Sequence, residues 1–439
     1  MSLITILPEI LEAGKQEYEE IKAGEFHLAE ETEHCIGGWK NKLIQGDNGA
    51  AMKMLLEQDG MAGKINMIYI DPPFFTKSSH EAVVHAAPEE NGKLSLSAKH
   101  LAYDDHWSQG IGQYLTMLTS RLYLIRDLLA EDGTVWVHLD WHAVHYVRIL
   151  MDEIFGRDHF VNEIIWTYKS GGASKKHFAR KHDTILVYSK SKKYYFQPLK
   201  EKSYNRGFKP YHFKGVEEFQ DEMGWYTMVN MKDVWHIDMV GRTSAERTGY
   251  ATQKPEALLE RILACCTREG DLCADFFCGS GTLAAAAQRM NRRWICCDQG
   301  KLAVSTTQRR LEERGCEDAC GYEILTEQNG SSYGEAEAVR EENLIVLKDC
   351  RVNLDESMLE GDDVDALKAL AESCPLQLVE FWSLDFHYDG KTHKPEKFLI
   401  RKKGKLALEA ELPECWAVCP CSIEAVDLLG NRYRTVIHP

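Results

Sequence analysis

The chain has 439 residues, 44% of them hydrophobic and 27% charged, and a formal net charge of −16. That length suits two or three domains with a large core, and the composition excludes a disordered or fibrous chain. No apolar run reaches the roughly 18 residues of a membrane span, and MSLITILPEILEAGKQEYEE turns acidic where a secretion signal would stay apolar, so a cytoplasmic protein is expected.

Residues 1–35 read as an acidic helical lead-in; 12 Asp/Glu face 5 Lys/Arg over residues 1–60. KLIQGD (42–47) is a short strand, followed by a helix with Ala51, Met54 and Leu55 at helical spacing. INMIYI (65–70) is too short and too β-branched for a helix and reads as a buried parallel strand. A polar loop of about 25 residues with Pro88, Asn91 and Gly92 follows, long enough to suggest a functional segment. Next come an amphipathic helix over 114–129, the strand TVWVHLD, a helix over 143–155, and the strands NEIIWTYK and DTILVYSK. The stretch 160–215 holds 13 Lys/Arg against 3 Asp/Glu, a basic strip on an acidic chain and hence a localised partner surface. Beyond residues 191–250, which show no clear pattern, lie a helix over 256–266, the strand LCADFF, the helix TLAAAAQRM and the strand RWICCD.

Strands alternating with helices imply a doubly wound, mostly parallel α/β sheet. Residues 326–340 are polar and Gly/Ser-containing, a linker, and 341–439 form a small, mostly β domain with turns at Asp389-Gly390, Lys403-Gly404 and Gly430-Asn431. Its acidic balance argues against DNA contact and leaves dimerisation, a lid role or simple stabilisation open. The 14 cysteines sit mostly in apolar segments as small hydrophobes, and Cys415, Cys419 and Cys421 lack a second pair at zinc-site spacing, so neither a metal nor disulfides are expected.

Two motifs carry the chemistry. After the strand 65–70, Asp71 stands at the strand's carboxyl end, where open α/β sheets place ligands. Pro72 and Pro73 donate no N–H and stop the strand, their carbonyls remain acceptors, and Phe74 adds a flat ring. Acceptors beside a stacking ring suit a planar group that carries an NH2. The second motif, DFFCGSGT (275–282), follows an apolar strand and opens an Ala-rich helix, the setting of a glycine-rich nucleotide loop. Gly279 and Gly281 permit the turn, and Asp298 ends the next strand about 20 residues on, placed to hold ribose hydroxyls. Gly279-x-Gly281-x-x-Ala284 also fits a dinucleotide fingerprint, but no hydride-transfer constellation accompanies it, and a dehydrogenase would leave DPPF without a purpose.

DPPF preceding DxFxGSGT by about 200 residues resembles the β group of the amino-methyltransferases, which use S-adenosyl-L-methionine to methylate exocyclic amines of DNA bases. QGDNGAAMKMLL, VWVHLDWHAVHYVRILMDEIFG, HDTILVYSK and TQKPEALLERI are similar to that family's segments in its order, over residues 40–310. The likeness is strongest to adenine-specific enzymes related to the modification subunits of type III restriction systems. It implies a circularly permuted, Rossmann-like methyltransferase domain over 36–325, with a target-recognition insertion at about 191–250.

By that resemblance Asp71, Pro72, Pro73 and Phe74 are catalytic: Asp71 and the Pro72 carbonyl accept from the target amine, and Phe74 stacks on the base. An aromatic amine is a poor nucleophile, and acceptors on its N–H groups turn its lone pair toward the methyl carbon, so catalysis is positioning and charge placement. The cofactor-binding set implied is Asp47, Gln253, Lys254, Pro255, Asp275, Phe277, Gly279, Ser280, Gly281, Thr282 and Asp298, with Gln253-Lys254-Pro255 at the methionine end. Asp47 reads equally as a helix cap. Phe75 departs from the family, whose close relatives often carry Asn there, which puts the fit of that loop in doubt.

Lys169, Lys175, Lys176, Arg180, Lys181, Lys190, Lys192 and Lys193 are expected at DNA phosphates, with Gly171 and Gly172 permitting close approach. A base inside a duplex cannot reach Asp71 and must be flipped out. The expectation is therefore a sequence-specific N6-adenine methyltransferase of double-stranded DNA in a restriction or defence system. An N4-cytosine enzyme on the same scaffold, RNA as the polymer, and a nucleic-acid-binding protein without activity remain alternatives. Homodimerisation stays open, and cleavage would need a separate restriction subunit, since no helicase or nuclease motif is present.

Overall fold

A computed structural model describes residues 3–24, 28–33, 39–86, 96–169, 175–313, 321–327, 333–413, 416 and 419–439. In chain order the first part comprises α1 (Leu3–Ala23), β1 (Leu28–Glu33), β2 (Asn41–Gln45), α2 (Asn48–Glu57), β3 (Ile65–Ile70), β4 (Ser79–Ala86), β5 (Leu96–Asp104), α3 (Ile111–Leu128), β6 (Leu129–Leu139), α4 (Val144–Met151), β7 (Phe160–Thr167) and β8 (His182–Ser189). There follow β9 (Lys200–Tyr204), β10 (Glu218–Asp221), β11 (Gly224–Asn230), β12 (Val234–His236), α5 (Glu256–Cys266), β13 (Leu272–Asp275), α6 (Thr282–Arg289), β14 (Arg293–Asp298), α7 (Lys301–Glu313) and β15 (Tyr322–Glu327).

The central sheet has ten strands in the order β1-β15-β2-β14-β13-β3-β6-β8-β7-β12. From β15 to β6 every pairing is parallel, whereas β8 runs antiparallel to both β6 and β7. Strands covered on both faces read as unbroken apolar runs, and β3 and β13 do so because helices lie above and below them. One face is covered by α1–α4, with Leu118, Leu122 and Leu150 in its core; the other by α5–α7, with Leu259, Leu283 and Val304. Helix α1 lies so close to α3 that a Cβ at Gly14 would sit 2.5 Å from the Thr119 side chain, which is why that position has none.

The sheet carries its own pointer to a ligand site. Beyond β13 the chain winds through α6 to β14 on one side, whereas beyond β3 it winds through α3 to β6 on the other. β13 and β3 are adjacent, so the winding reverses between them, and doubly wound sheets bind ligands outside the carboxyl ends at such a point. The glycine-loop strand lies beside the acidic-proline strand although it follows it by about 200 residues, the circularly permuted order the sequence implied.

Several elements depart from the sequence reading. The expected lead-in supplies a helix and an edge strand of the catalytic sheet, β1 pairing antiparallel with β15. The long loop after DPPF is largely a β-hairpin, β4 pairing with β5; Pro88, Asn91 and Gly92 lie outside the described residues. Within 191–250, β9, β10 and β11 form a separate three-stranded sheet. The polar run 326–340 contains the end of β15 and most of β16 (Gly334–Glu341), with 328–332 outside the described residues.

From β16 onward the chain adds β17 (Leu344–Cys350), β18 (Leu359–Glu360), α8 (Val364–Ser373), β19 (Val379–Asp385), β20 (Lys397–Ile400), β21 (Glu409–Glu411), β22 (Cys421–Asp427) and β23 (Arg432–Ile437). Seven of these strands form one sheet, β20-β19-β22-β23-β16-β17-β21, while β18 leaves it and pairs with β5 of the hairpin. Val84 and Ala98 of the hairpin share an apolar cluster with Leu359, Leu367 and Leu428. Arg309 on α7 bonds Glu380 at 2.7 Å, and Arg432 bonds Gln308 at 2.7 Å, so the last hundred residues hold both the hairpin and α7. Cys415 lies outside the described residues.

Candidate active site

A cavity of about 530 Å³ opens at the β3/β13 junction. Asp47, Asp71, Pro73, Gln253, Lys254, Asp275, Phe277, Gly279, Ser280, Thr282 and Asp298 all line it. Residues read as two separate motifs thus face one space. Pro72, Phe74, Pro255 and Gly281 stand behind that surface, Pro255 at the N-cap of α5 and Gly281 at that of α6.

The glycine loop is held from below. Asp298 accepts from the Gly279 N–H at 2.8 Å and the Gly300 N–H at 2.9 Å, and burial raises its carboxyl pKa. Asp275 accepts from the Phe277 N–H at 3.0 Å; burial pushes its pKa well above the carboxylate range, and the charges of Asp71 and Asp298 add to the shift. Gly281 has φ of +68°, and a Cβ there would lie 2.4 Å from the Thr307 side chain. Arg310, buried, donates to the Ser280 carbonyl at 3.0 Å and the Thr282 hydroxyl at 3.1 Å while pairing with Glu256 at 2.5 Å. Neither Arg310 nor Glu256 was singled out in the sequence, because their partners lie about 30 and 50 residues away.

Asp71 leaves β3 with one carboxylate oxygen bonded to the Lys254 ammonium; the other, Oδ1, is buried without a partner among the described residues. The Lys254 ammonium also stands 5.3 Å from the centre of the Phe74 ring, a cation–π distance. Lys254, expected at the methionine end of the cofactor, is therefore first of all the partner of Asp71. Beneath Phe74, the His138 ring stacks at 5.8 Å and 29°. His138 bonds the Tyr69 hydroxyl at 2.7 Å and Asp183 at 3.3 Å, and Tyr168 donates to Asp183 at 3.1 Å. Burial alone would raise the Asp183 pKa, but the His138 contact, Lys254 and Tyr168 together bring it below its ordinary value.

Phe75, the residue that departs from the family pattern, has φ of +63°. A left-handed backbone is one that Asn tolerates far better than Phe, so the Asn that the resemblance leads one to expect there would sit with less strain. The loop is kept there by Asp105, fully buried, which accepts from the Phe75 N–H at 3.1 Å, the Thr76 N–H at 2.5 Å and the Trp107 indole at 3.0 Å. Asp47 is a helix cap, accepting from the Ala50 N–H at 3.0 Å, and its other oxygen takes Arg121 at 3.0 Å. Tyr250, three residues before Gln253, also lines the cavity, and a Cβ at Gly279 would lie 3.3 Å from its ring.

The basic residues divide into two groups. Lys169, Lys175, Lys176, Arg180 and Lys181 flank the β7–β8 connection, at the end of the sheet where β3 and β6 terminate. Arg180 stacks on the exposed Trp141 at 3.9 Å. Gly171 and Gly172 lie outside the described residues. Lys190, Lys192 and Lys193 follow β8, which runs antiparallel to β6, and so emerge at the opposite end of the sheet. Lys190 bonds the Arg126 carbonyl, and Lys192 lies 3.7 Å from Asp158. The expectation that these three reach DNA beside Asp71 is corrected: adjacency in sequence to a strand does not say which end of the sheet it leaves.

A doubly wound sheet with a glycine loop and an acceptor motif at its switch point defines a Rossmann-like S-adenosylmethionine-dependent methyltransferase. Residues 65–309, more than half of the chain, match the DNA methylase family of N6/N4 methyltransferases, and the chain belongs to that family. It is similar to the type II methyltransferase M.EcaI of Enterobacter cloacae, with 29% identity over 62% of this chain and 69% of that one. M2.DpnII of Streptococcus pneumoniae is 28% identical over 56% of this chain and 82% of its own. The Mod subunit of the type III restriction-modification enzyme EcoP15I of Escherichia coli is 30% identical over 34% of this chain, which spans only 24% of that subunit. Among solved structures, the PvuII DNA methyltransferase (cytosine-N4-specific) aligns over 65% of this chain and 90% of its own, at 15% identity and a TM-score of 0.42. The M1.HpyAVI–SAM complex aligns over 62% of this chain and all of its own, at 18% identity and a TM-score of 0.37.

Proposed function

We propose that this DNA methyltransferase modifies the N6 amine of adenine, at one recognition sequence, in a base rotated out of the duplex. The observation that carries the reading is the buried Asp71 Oδ1, without a partner among the described residues, on a side chain that lines the same cavity as the glycine loop. An orphaned buried carboxylate oxygen is costly unless a donor arrives, and an exocyclic NH2 is such a donor. Asp in first place of the motif favours adenine.

S-adenosyl-L-methionine supplies an electrophilic methyl group on a sulfonium. Its nucleoside suits the loop at Phe277, Gly279, Ser280, Gly281 and Thr282, with Asp298 near the ribose, and Asp47 and Asp275 line the same cavity. Gln253, Lys254 and Pro255 close the other end. Asp71 and the Pro72 carbonyl accept from the amine N–H groups, directing its lone pair at the methyl carbon, while Pro73 stiffens the turn and Phe74 stacks on the base. Lys254 keeps one Asp71 oxygen fixed so that the free one points to the substrate.

Lys169, Lys175, Lys176, Arg180 and Lys181 hold the DNA backbone beside this mouth. The sheet of β9–β11, with Phe208, Phe213 and Met223 exposed on or near it, reads the bases. The name of the EcoP15I Mod subunit supports a restriction-modification setting, with any nuclease on a separate chain; among the described residues no helix is long and apolar enough to cross a membrane. Modified-base sequencing of DNA from cells expressing the wild type or Asp71→Ala tests the reading. N6-methyladenine at one recurring motif, absent with the variant, is expected; N4-methylcytosine would overturn the choice of base, and no modification the activity on DNA.

A further inference from the structure

Phe178 is 99% exposed, in a chain whose other large aromatic side chains near the site are mostly covered. It sits in KKHFARK, with Lys175 and Lys176 before it and Arg180 and Lys181 after it. A single exposed hydrophobic side chain is ordinary on a protein surface, so the exposure of Phe178 carries weight through its place among four cations, which attract a polyanion. The segment's position is set by Arg180, whose guanidinium stacks on Trp141, two residues past the end of β6, the strand next to β3. Phe178 thus stands on a basic segment at the end of the sheet where β3 delivers Asp71, its ring uncovered by the described residues.

We infer that Phe178 is the wedge that enters the base stack at the place the target base vacates. The ring lies among the cations that seat the backbone, so it reaches the stack as the strip docks, and the stacked bases are the apolar surface it lacks. Apolar side chains inserted between base steps are an established way of offsetting unstacking. Phe178 is then a positioning residue: it touches neither the methyl donor nor the reacting amine, and it favours the extrahelical state of the base. The inference rests on the base-flipping reading above and gives that reading its second half, since Asp71 receives a base whose gap must be filled.

The test uses the full chain and duplexes carrying the motif returned by modified-base sequencing, one fully paired and one with an abasic sugar opposite the target adenine. Phe178→Ala should lower kcat/KM on the paired duplex about 10- to 100-fold, and the abasic duplex, whose target base is already unpaired, should restore it to within about threefold of wild type. Phe178→Leu should keep most of the activity on the paired duplex, because any apolar wedge fills the gap. Affinity for S-adenosylhomocysteine should be unchanged in both variants, which also reports that they are folded. Equal activity of Phe178→Ala and wild type on the paired duplex would overturn the inference, as would an equal loss on both duplexes. If 2-aminopurine at the target position of the paired duplex gains no fluorescence on binding the wild type, the flipping reading fails instead, whereas a gain that Phe178→Ala keeps in full overturns this inference alone.

Discussion

Asp71→Ala should unfold the protein at lower temperature as well as silence it. The side chains of Asp71 and Lys254 are 16% and 9% exposed, and among the described residues the ammonium has the Thr252 carbonyl, 3.4 Å away, as its one further acceptor. Breaking a fully buried pair by removing one partner costs about 3–5 kcal/mol, because a charge is left uncompensated. With this residual exposure about 2–3 kcal/mol is expected, a fall in melting temperature of about 3–5 °C for a domain of roughly 290 residues. Replacing the stranded ammonium by an apolar side chain of similar length removes the penalty, so Asp71→Ala/Lys254→Met should recover most of the lost stability. It should recover none of the activity, since the acceptor for the amine is gone. Calorimetric melting of wild type, both single variants and the double gives the coupling, and methyl incorporation into DNA gives the activity. An Asp71→Ala protein that melts with the wild type, or a double variant no more stable than it, would refute the ion pair as the source of Lys254's placement. Methylation by the double variant would refute Asp71 as the acceptor.

Gly281→Ala, which needs a left-handed backbone and space occupied by the Thr307 side chain, should weaken S-adenosylhomocysteine binding by about 5- to 30-fold in calorimetric titration, from a strain of order 1–2 kcal/mol. Replacing Lys175, Lys176 and Lys181 together by Ala should reduce the slope of log K against log salt for duplex binding by up to about 3, whereas Lys192→Ala/Lys193→Ala should leave it unchanged. His393, buried between the hydroxyls of Ser383 and Ser422, has its pKa lowered by burial to about 4 from an ordinary 6.5. The unfolded chain therefore takes up this proton first as pH falls, so stability present above pH 6.5 is lost on descending toward 4, by about 3 kcal/mol. Acid titration of the melting temperature should show that loss, and His393→Gln should flatten it.

The strands that form the parallel centre were legible because burial on both faces leaves an unbroken apolar run: Ile65–Ile70, Leu272–Asp275 and Arg293–Asp298 stand close to where the pattern puts them. The hairpin β4–β5 was read as a loop because SHEAVVHA and LSAKHLAYD mix charge with apolar residues on a sheet with only three strands. The same holds for KEKSY and EFQD in the 191–250 region, whose pairing is set by neighbours rather than by composition. Helix α8 escaped notice among acidic residues that resembled a solvated surface. At the site, the glycine loop and DPPF announce themselves through backbone demands. Lys254 on Asp71, Arg121 on Asp47 and Asp105 under Phe75 do not, because each joins segments that only the sheet order brings together.

The permuted strand order also sets a timetable for synthesis. β2 pairs with β14 and β15, so Ile44 meets Cys297 and Leu325 as its neighbours, and β3 gains its second partner only when β13 appears. At about 5–20 residues per second, some 250 residues of translation leave both edges of β2 unpaired for about 12–50 s after it leaves the ribosome. Through that interval the nascent chain carries apolar strands with open hydrogen-bonding edges, the species most prone to join another chain. The half that presents the amine acceptor is therefore made first and waits, and the half that presents the cofactor loop closes the sheet around it; a stop codon between residues 190 and 270 would release an aggregating fragment rather than a smaller enzyme.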